Sequence, residues 1–112
     1  MWLATSTSDA DDAIVVLSQV IEADSKRAGA FAQRGWRYQQ QNKMELAYPD
    51  YLAAAELGDA WSEMMTGKFL WAGTGVKQNR DEALIWLRKA ANQGQADAKL
   101  SLKQALEQNE KK

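Results

Sequence analysis

The chain has 112 residues, a formal net charge of −1, no cysteine and no histidine. That length fits one domain, and those absences exclude disulfides, thiolate nucleophiles, thiolate metal sites and any Ser-His-Asp or Cys-His arrangement. With 46% hydrophobic and 26% charged residues and one proline, the composition is that of an ordered globular protein with no overall electrostatic drive toward nucleic acid or an anionic membrane.

The first six residues, Met-Trp-Leu-Ala-Thr-Ser, lack a basic start and a long apolar run, so they do not read as a signal peptide. No stretch approaches the roughly 18 apolar residues of a membrane span, so no membrane insertion is expected. As written the chain reads as cytoplasmic, or periplasmic if a signal peptide has been removed. Apolar residues then recur at helical spacing almost throughout, and no segment alternates with period two. A first helix is predicted from about Asp9 to Ala23, with Ser8 as N-cap, acids at its positive start, and a stripe of Ala13, Leu17, Val20 and Ile21. A second, about Arg27 to Gln41, carries Phe31, Gly35 and Tyr38 on one face. Asn42 is expected to open a third with Glu45 as its capping-box partner, an arrangement that returns at Asn79 and Glu82. Pro49 predicts a kink in that helix, or a helix proper that begins there.

Gly58 should end the third helix, and a fourth should span about Ala60 to Ala72. Gly73-Thr-Gly-Val76 reads as a wide turn with positive φ at one or both glycines. A fifth helix is predicted over Arg80–Gln93, ending at Gly94, where a substitution to Val should crowd the exit. A sixth, Ala96 to about Gln108, has the polar, lysine-rich surface of a terminal cap, and residues 109–112 should fray.

Small residues return at a fixed interval. Moved back 36 positions, Ala83, Ala90, Ala91, Gly94 and Ala96 fall on Ala47, Ala54, Ala55, Gly58 and Ala60. Such recurrence marks stacked helical hairpins, whose backbones approach closely. Ala28, Phe31, Gly35, Tyr38, Ala47, Tyr51 and Ala54 match the spacing of a tetratricopeptide unit of roughly 34 residues. From Ala60 on, the chain resembles the Sel-one-like repeat, a close relative with a longer turn. Gly67, Leu70, Gly73, Gly75 and Val76 match its first helix and turn; Ala83, Trp86, Lys89, Ala90, Ala91, Gly94, Ala96 and Ala98 match its second helix and exit. Departures are Thr66 for the usual leucine, Lys103 for the glycine of the next unit, and Asp50 where Trp86 stands one repeat later.

The resemblance implies an all-α fold, a right-handed α-α superhelix built as a short solenoid of about six helices in antiparallel hairpins. Its expected parts are a half unit over 9–24, a tetratricopeptide-like hairpin over 27–58, a Sel-one-like hairpin over 60–94 and a capping helix over 96–108. It also implies binding of a protein or peptide along the concave face, with no catalytic activity and no cofactor.

The residues agree in offering no catalytic set. Asp11-Asp12 and Asp81-Glu82 each lie at a helix start, where acids are expected for the dipole alone. Gly73-Thr-Gly-Val-Lys77 is superficially like a phosphate-cradling loop but has neither the preceding strand nor the full spacing. No metal site is expected.

In repeats of this kind the first helices line the groove. Carried across, the inward set is Ala32, Gln33, Trp36, Gln39 and Gln40, then Trp61, Met64, Lys68 and Trp71, then Asp97, Leu100 and Gln104. The expected partner-binding residues are Gln33, Trp36, Gln40, Trp61, Met64, Lys68 and Trp71. Tryptophan is the residue type most often found as a hot spot, and methionine adapts to irregular partners. Trp86, on a second helix, is expected in the core, Trp71 in core or groove, and Trp2 over the open N-terminal edge. Arg34 and Arg37 are candidates for carboxylate recognition or are simply solvated.

The formal charge is blocked along the chain: −5 over residues 1–25, +5 over 26–43, −5 over 44–67 and +4 over 68–112. Stacked helices of alternating sign account for this. So does a second function, a bacterial immunity protein that blocks a cognate toxin, since charge complementarity sets on-rate and rejects wrong partners. The leading expectation is a non-catalytic adaptor, monomeric or weakly self-associating.

Overall fold

A computed structural model describes residues 9–110, which form six α-helices and no strand. They are α1 (Asp9–Ala23), α2 (Ala28–Gln40), α3 (Met44–Glu56), α4 (Ala60–Ala72), α5 (Arg80–Asn92) and α6 (Ala96–Glu110). Ser8 and Trp2, expected from the sequence as a cap and an edge cover, lie outside the described residues. Each helix packs against its neighbour in sequence and α4 also touches α6, giving an elongated body of 60 × 25 × 22 Å.

Three helices leave by the same backbone motif. After α3, the Gly58 N–H donates to the Ala55 carbonyl and the Asp59 N–H to that of Ala54; after α5, Gly94 and Gln95 repeat this onto Ala91 and Ala90. After α2, Asn42 and Lys43 do the same onto Gln39 and Tyr38, with Asn42 at φ +60°. This is the Schellman exit, whose left-handed residue is usually glycine and sometimes asparagine. Asn42 therefore closes α2 and does not cap α3. Lys43 stands at the N-cap of α3 and makes no side-chain cap bond. At α5 the cap half of the box does form, the Asn79 Oδ1 accepting from the Glu82 N–H at 3.1 Å, while the Asn79 N–H donates to the Leu70 carbonyl and not to the Glu82 side chain.

Pro49 lies inside α3, which starts at Met44 and does not begin at the proline. Its missing N–H deprives the Glu45 carbonyl of a donor, but Pro49 and Glu45 are both exposed, so water can serve that group. Gly94 sits at φ +90°, and a Cβ added there would have nothing within 4 Å. A side chain at Gly94 therefore meets backbone strain and not the crowding expected from the sequence.

The repeat is legible as one contact made twice. A Cβ on Gly35 of α2 would meet the Tyr51 ring at 3.1 Å and the Ala47 carbonyl at 3.3 Å. On Gly67 of α4 it would meet Leu87 Cγ at 2.8 Å and the Ala83 carbonyl at 3.1 Å. Tyr51 and Ala47 lie 36 positions before Leu87 and Ala83, whereas Gly35 lies 32 before Gly67. The difference is the turn: residues 41–43 join α2 to α3, whereas residues 73–79 join α4 to α5. That longer turn carries positive φ at both Gly73 and Gly75, and Gly75 rests on the first turn of α3.

α4 is the spine of the molecule. Ser62, Glu63, Met64, Met65, Thr66, Gly67, Phe69 and Leu70 are all buried, because α3, α5 and α6 surround it. The main core joins Tyr51, Met64, Met65, Phe69 and Leu87 with the small Ala47, Ala90, Ala98 and Ala105. Trp86 is buried in a second cluster with Ala55, Leu70 and Ala83. Its Nε1–H donates to Glu82 Oε2 at 3.4 Å, and Lys89 Nζ lies 4.6 Å from its ring centroid. By contrast, Ala13, Leu17, Val20 and Ile21 of α1 are only half-buried.

Candidate functional site

The even-numbered helices bound two hollows. The first, about 420 Å³, opens between α2 and the start of α4 and is lined by Ala32, Gln33, Trp36, Arg37, Asp59 and Trp61. The second, about 240 Å³, opens between α4 and α6 and is lined by Lys68, Trp71, Leu87, Ser101, Gln104 and Gln108. Helical geometry places these side chains: Ala32, Gln33, Trp36 and Arg37 follow the three-and-four spacing of one face, as do Ser101, Gln104 and Gln108.

In the first hollow Trp36 is 41% exposed, and the Arg37 guanidinium lies 5.1 Å from its ring centroid. Trp61 is anchored differently. Its ring meets Tyr51 edge-on at 5.3 Å and 75°, so one part packs on the core while another lines the hollow. Asp59 is occupied as the N-cap of α4, accepting from the Ser62 N–H at 2.9 Å and the Ser62 hydroxyl at 2.6 Å.

In the second hollow Trp71 also serves both roles, packing against both core clusters while lining the opening. The Arg80 guanidinium lies 4.4 Å from its ring centroid. Lys68 is exposed and forms no ion pair or hydrogen bond among the described residues.

The remaining residues named from sequence fall elsewhere. Met64 is 3% exposed and belongs to the main core, so it supports the floor and is not open to a partner. The reason is the position of α4, which is covered on three sides. Gln40 is exposed and lines neither hollow. Gln39 is half-buried and accepts a hydrogen bond from the Tyr51 hydroxyl at 2.5 Å. Burial pushes that phenol well above the usual tyrosine range. Asp97 and Leu100 are exposed on α6.

Arg34 is not a free carboxylate receptor. Its Nε and Nη2 donate to Asp50 Oδ2 and Oδ1, both at 2.7 Å, and its Nη1 donates to Ser18 Oγ at 3.0 Å. The Asp50 bond raises the guanidinium above its ordinary value, with burial opposing it. This pair explains why Asp50 stands where Trp86 stands one repeat later: it ties α3 to α2, and Arg34 reaches on to α1. Ser101 and Gln108 of the second hollow are absent from the set expected from sequence, although their spacing from Gln104 signals the shared face. Among the described residues no group of histidine, cysteine or carboxylate side chains could hold a metal ion. No described helix is long and apolar enough to cross a membrane.

Residues 62–95 match the family model described as the Sel1 repeat. The α4–α5 hairpin carries that match. The match takes in Gly67 at the helix crossing, the long turn with Gly73 and Gly75, and the Gly94 exit. A Sel1 repeat protein from Oxalobacter formigenes, solved by crystallography, is similar to this chain in fold. It shares 24% identity at a TM-score of 0.68, over 86% of this chain and 89% of that one. No curated protein matches. Sel1 repeats are in general protein–protein interaction modules and typically non-catalytic scaffolds.

Proposed function

We propose that this chain is a non-catalytic binding module that holds a segment of another protein along the side formed by α2, α4 and α6. The observation that carries this reading is Trp36, a large aromatic left 41% exposed at the edge of a hollow whose other wall is Trp61. An exposed tryptophan has a large apolar area to bury, and a second aromatic facing the same space offers an anchor pocket of the kind that dominates interface energetics. The second hollow extends the surface toward α6, and glutamines on both hollows supply paired donors and acceptors for a peptide backbone.

The test is a pair of substitutions read for both folding and binding. Trp36→Ala should leave helicity and the unfolding midpoint nearly unchanged while weakening capture of a selected peptide at least tenfold, the order of a hot-spot loss. Trp61→Ala should weaken capture and also lower stability by about 1–3 kcal/mol, since its ring packs on Tyr51. Full binding by Trp36→Ala would remove the first hollow from the interface.

A further inference from the structure

Resting on the reading of this side as a binding surface, we infer that the hollow between α4 and α6 selects an acidic side chain of the bound segment, held by Lys68, with an apolar neighbour seated against Trp71. The hollow combines an apolar base with a polar rim. Leu87, 2% exposed, and Ala105, 5% exposed, form its floor; Trp71 forms a wall; Lys68, Ser101, Gln104 and Gln108 stand at the edge. None of its lining residues is acidic.

Two cations bear on this space. Lys68 has no ion-pair or hydrogen-bond partner among the described residues, and Arg80 lies over the Trp71 ring. Arg80 Nε is buried without a hydrogen-bond acceptor, and Arg80 forms no ion pair among the described residues. A bare tryptophan face attracts cations through its negative quadrupole, but here Arg80 already engages the ring. What remains favourable beside Trp71 is apolar surface, and what remains favourable beside Lys68 is an anion. The rim amides and the Ser101 hydroxyl can donate to the same carboxylate, strengthening a charge-assisted bond.

At about 240 Å³ the hollow suits one or two side chains. A polyanion such as nucleic acid gains little from it, because binding of that kind rests on many phosphate contacts spread over a basic face. The occupant that fits is a peptide segment in which Asp or Glu adjoins a bulky apolar residue.

The experiment is selection of random linear peptides fused to a phage coat protein, so that side-chain acids and not a free C-terminal carboxylate are on offer. The full chain is immobilised as wild type and as Lys68→Glu, an exposed substitution whose fold is checked by circular dichroism. The expected result is enrichment of Asp or Glu beside Leu, Phe or Trp by the wild type, and of Lys or Arg at that position by Lys68→Glu. A synthetic peptide of the wild-type consensus should bind Lys68→Ala with a Kd about tenfold higher. Peptides enriched without charge preference, and equally by both proteins, would overturn the acidic specificity while their dependence on Trp36 kept the binding surface standing. No enrichment by the wild type would overturn both readings.

Discussion

Asp50 and Arg34 show how one substitution in a repeat alters the physics of the stack. The Asp50 side chain is 6% exposed and that of Arg34 is 21%, so the pair is largely withdrawn from the solvent that weakens surface ion pairs. Removing one partner leaves the other charge buried, and Asp50→Ala should lower stability by about 3 kcal/mol in urea unfolding. Replacing both together, with Arg34→Met and Asp50→Leu, should recover most of that loss, because well-packed apolar residues often substitute for a buried pair without penalty. Gly75 makes a different residue-scale case. It combines φ +67° with a site where a Cβ would lie 2.3 Å from the Met44 carbonyl oxygen, so Gly75→Ala must both strain the turn and push it off α3. Gly94→Ala meets only the φ term. The expected losses are about 1 kcal/mol at Gly94 and upward of about 3 kcal/mol at Gly75, read by thermal unfolding of the two variants side by side. Equal losses would mean that the turn has room to move.

At the scale of helices, the pairing of α2 with α3 depends on Tyr51, which is fully buried and hydrogen-bonded to Gln39. Its folded-state phenol titrates above the ordinary tyrosine value of about 10, which the unfolded chain retains. The folded form therefore holds its proton where the unfolded form releases it. Stability from this group is complete below about pH 10 and declines as pH rises past that value. Tyr51→Phe should flatten the decline in urea midpoints between about pH 9 and 11, and an unchanged slope would place its origin elsewhere, with Tyr48, also raised by burial, the next candidate.

The helices themselves are legible in the sequence because their signals are local: acids at starts, glycines at exits, apolar residues at helical spacing. Asn42 misleads because the same residue type serves an N-cap and a left-handed exit, and the two are distinguished by its φ of +60° and by the bonds of Asn42 and Lys43 back to Gln39 and Tyr38. The site is less legible. Whether Met64 faces a groove or a core depends on how many helices surround α4, and whether Arg34 is free depends on a carboxylate 16 positions away. Those are properties of packing, and helical spacing carries no record of them.

Across the whole molecule, order should follow position in the stack. A repeat array is stabilised by each unit and by its contacts with nearest neighbours, so the ends lean on one interface and the middle on two or more. α4 has eight buried residues and touches α3, α5 and α6, whereas α1 packs on α2 and none of its described side chains is fully buried. Backbone amides open locally with free energies that track such burial. Hydrogen exchange read by mass spectrometry should therefore show the slowest exchange in α4 and α5, and the fastest helical exchange in α1. Arg34 modifies this gradient, since its bond to Ser18 is a polar tie holding α1 to the α2–α3 hairpin. Ser18→Ala, which removes that tie but keeps the Arg34–Asp50 pair, should accelerate exchange in α1 by several-fold while leaving α5 unchanged; equal acceleration throughout would show that the solenoid opens as a single unit. The two hollows sit on opposite sides of α4 along this gradient, each sharing one wall with the most buried helix and one with a helix nearer an end. Ligand capture that orders α2 or α6 against α4 should then slow exchange in those helices first, and a peptide that slowed only α1 would be bound outside both hollows.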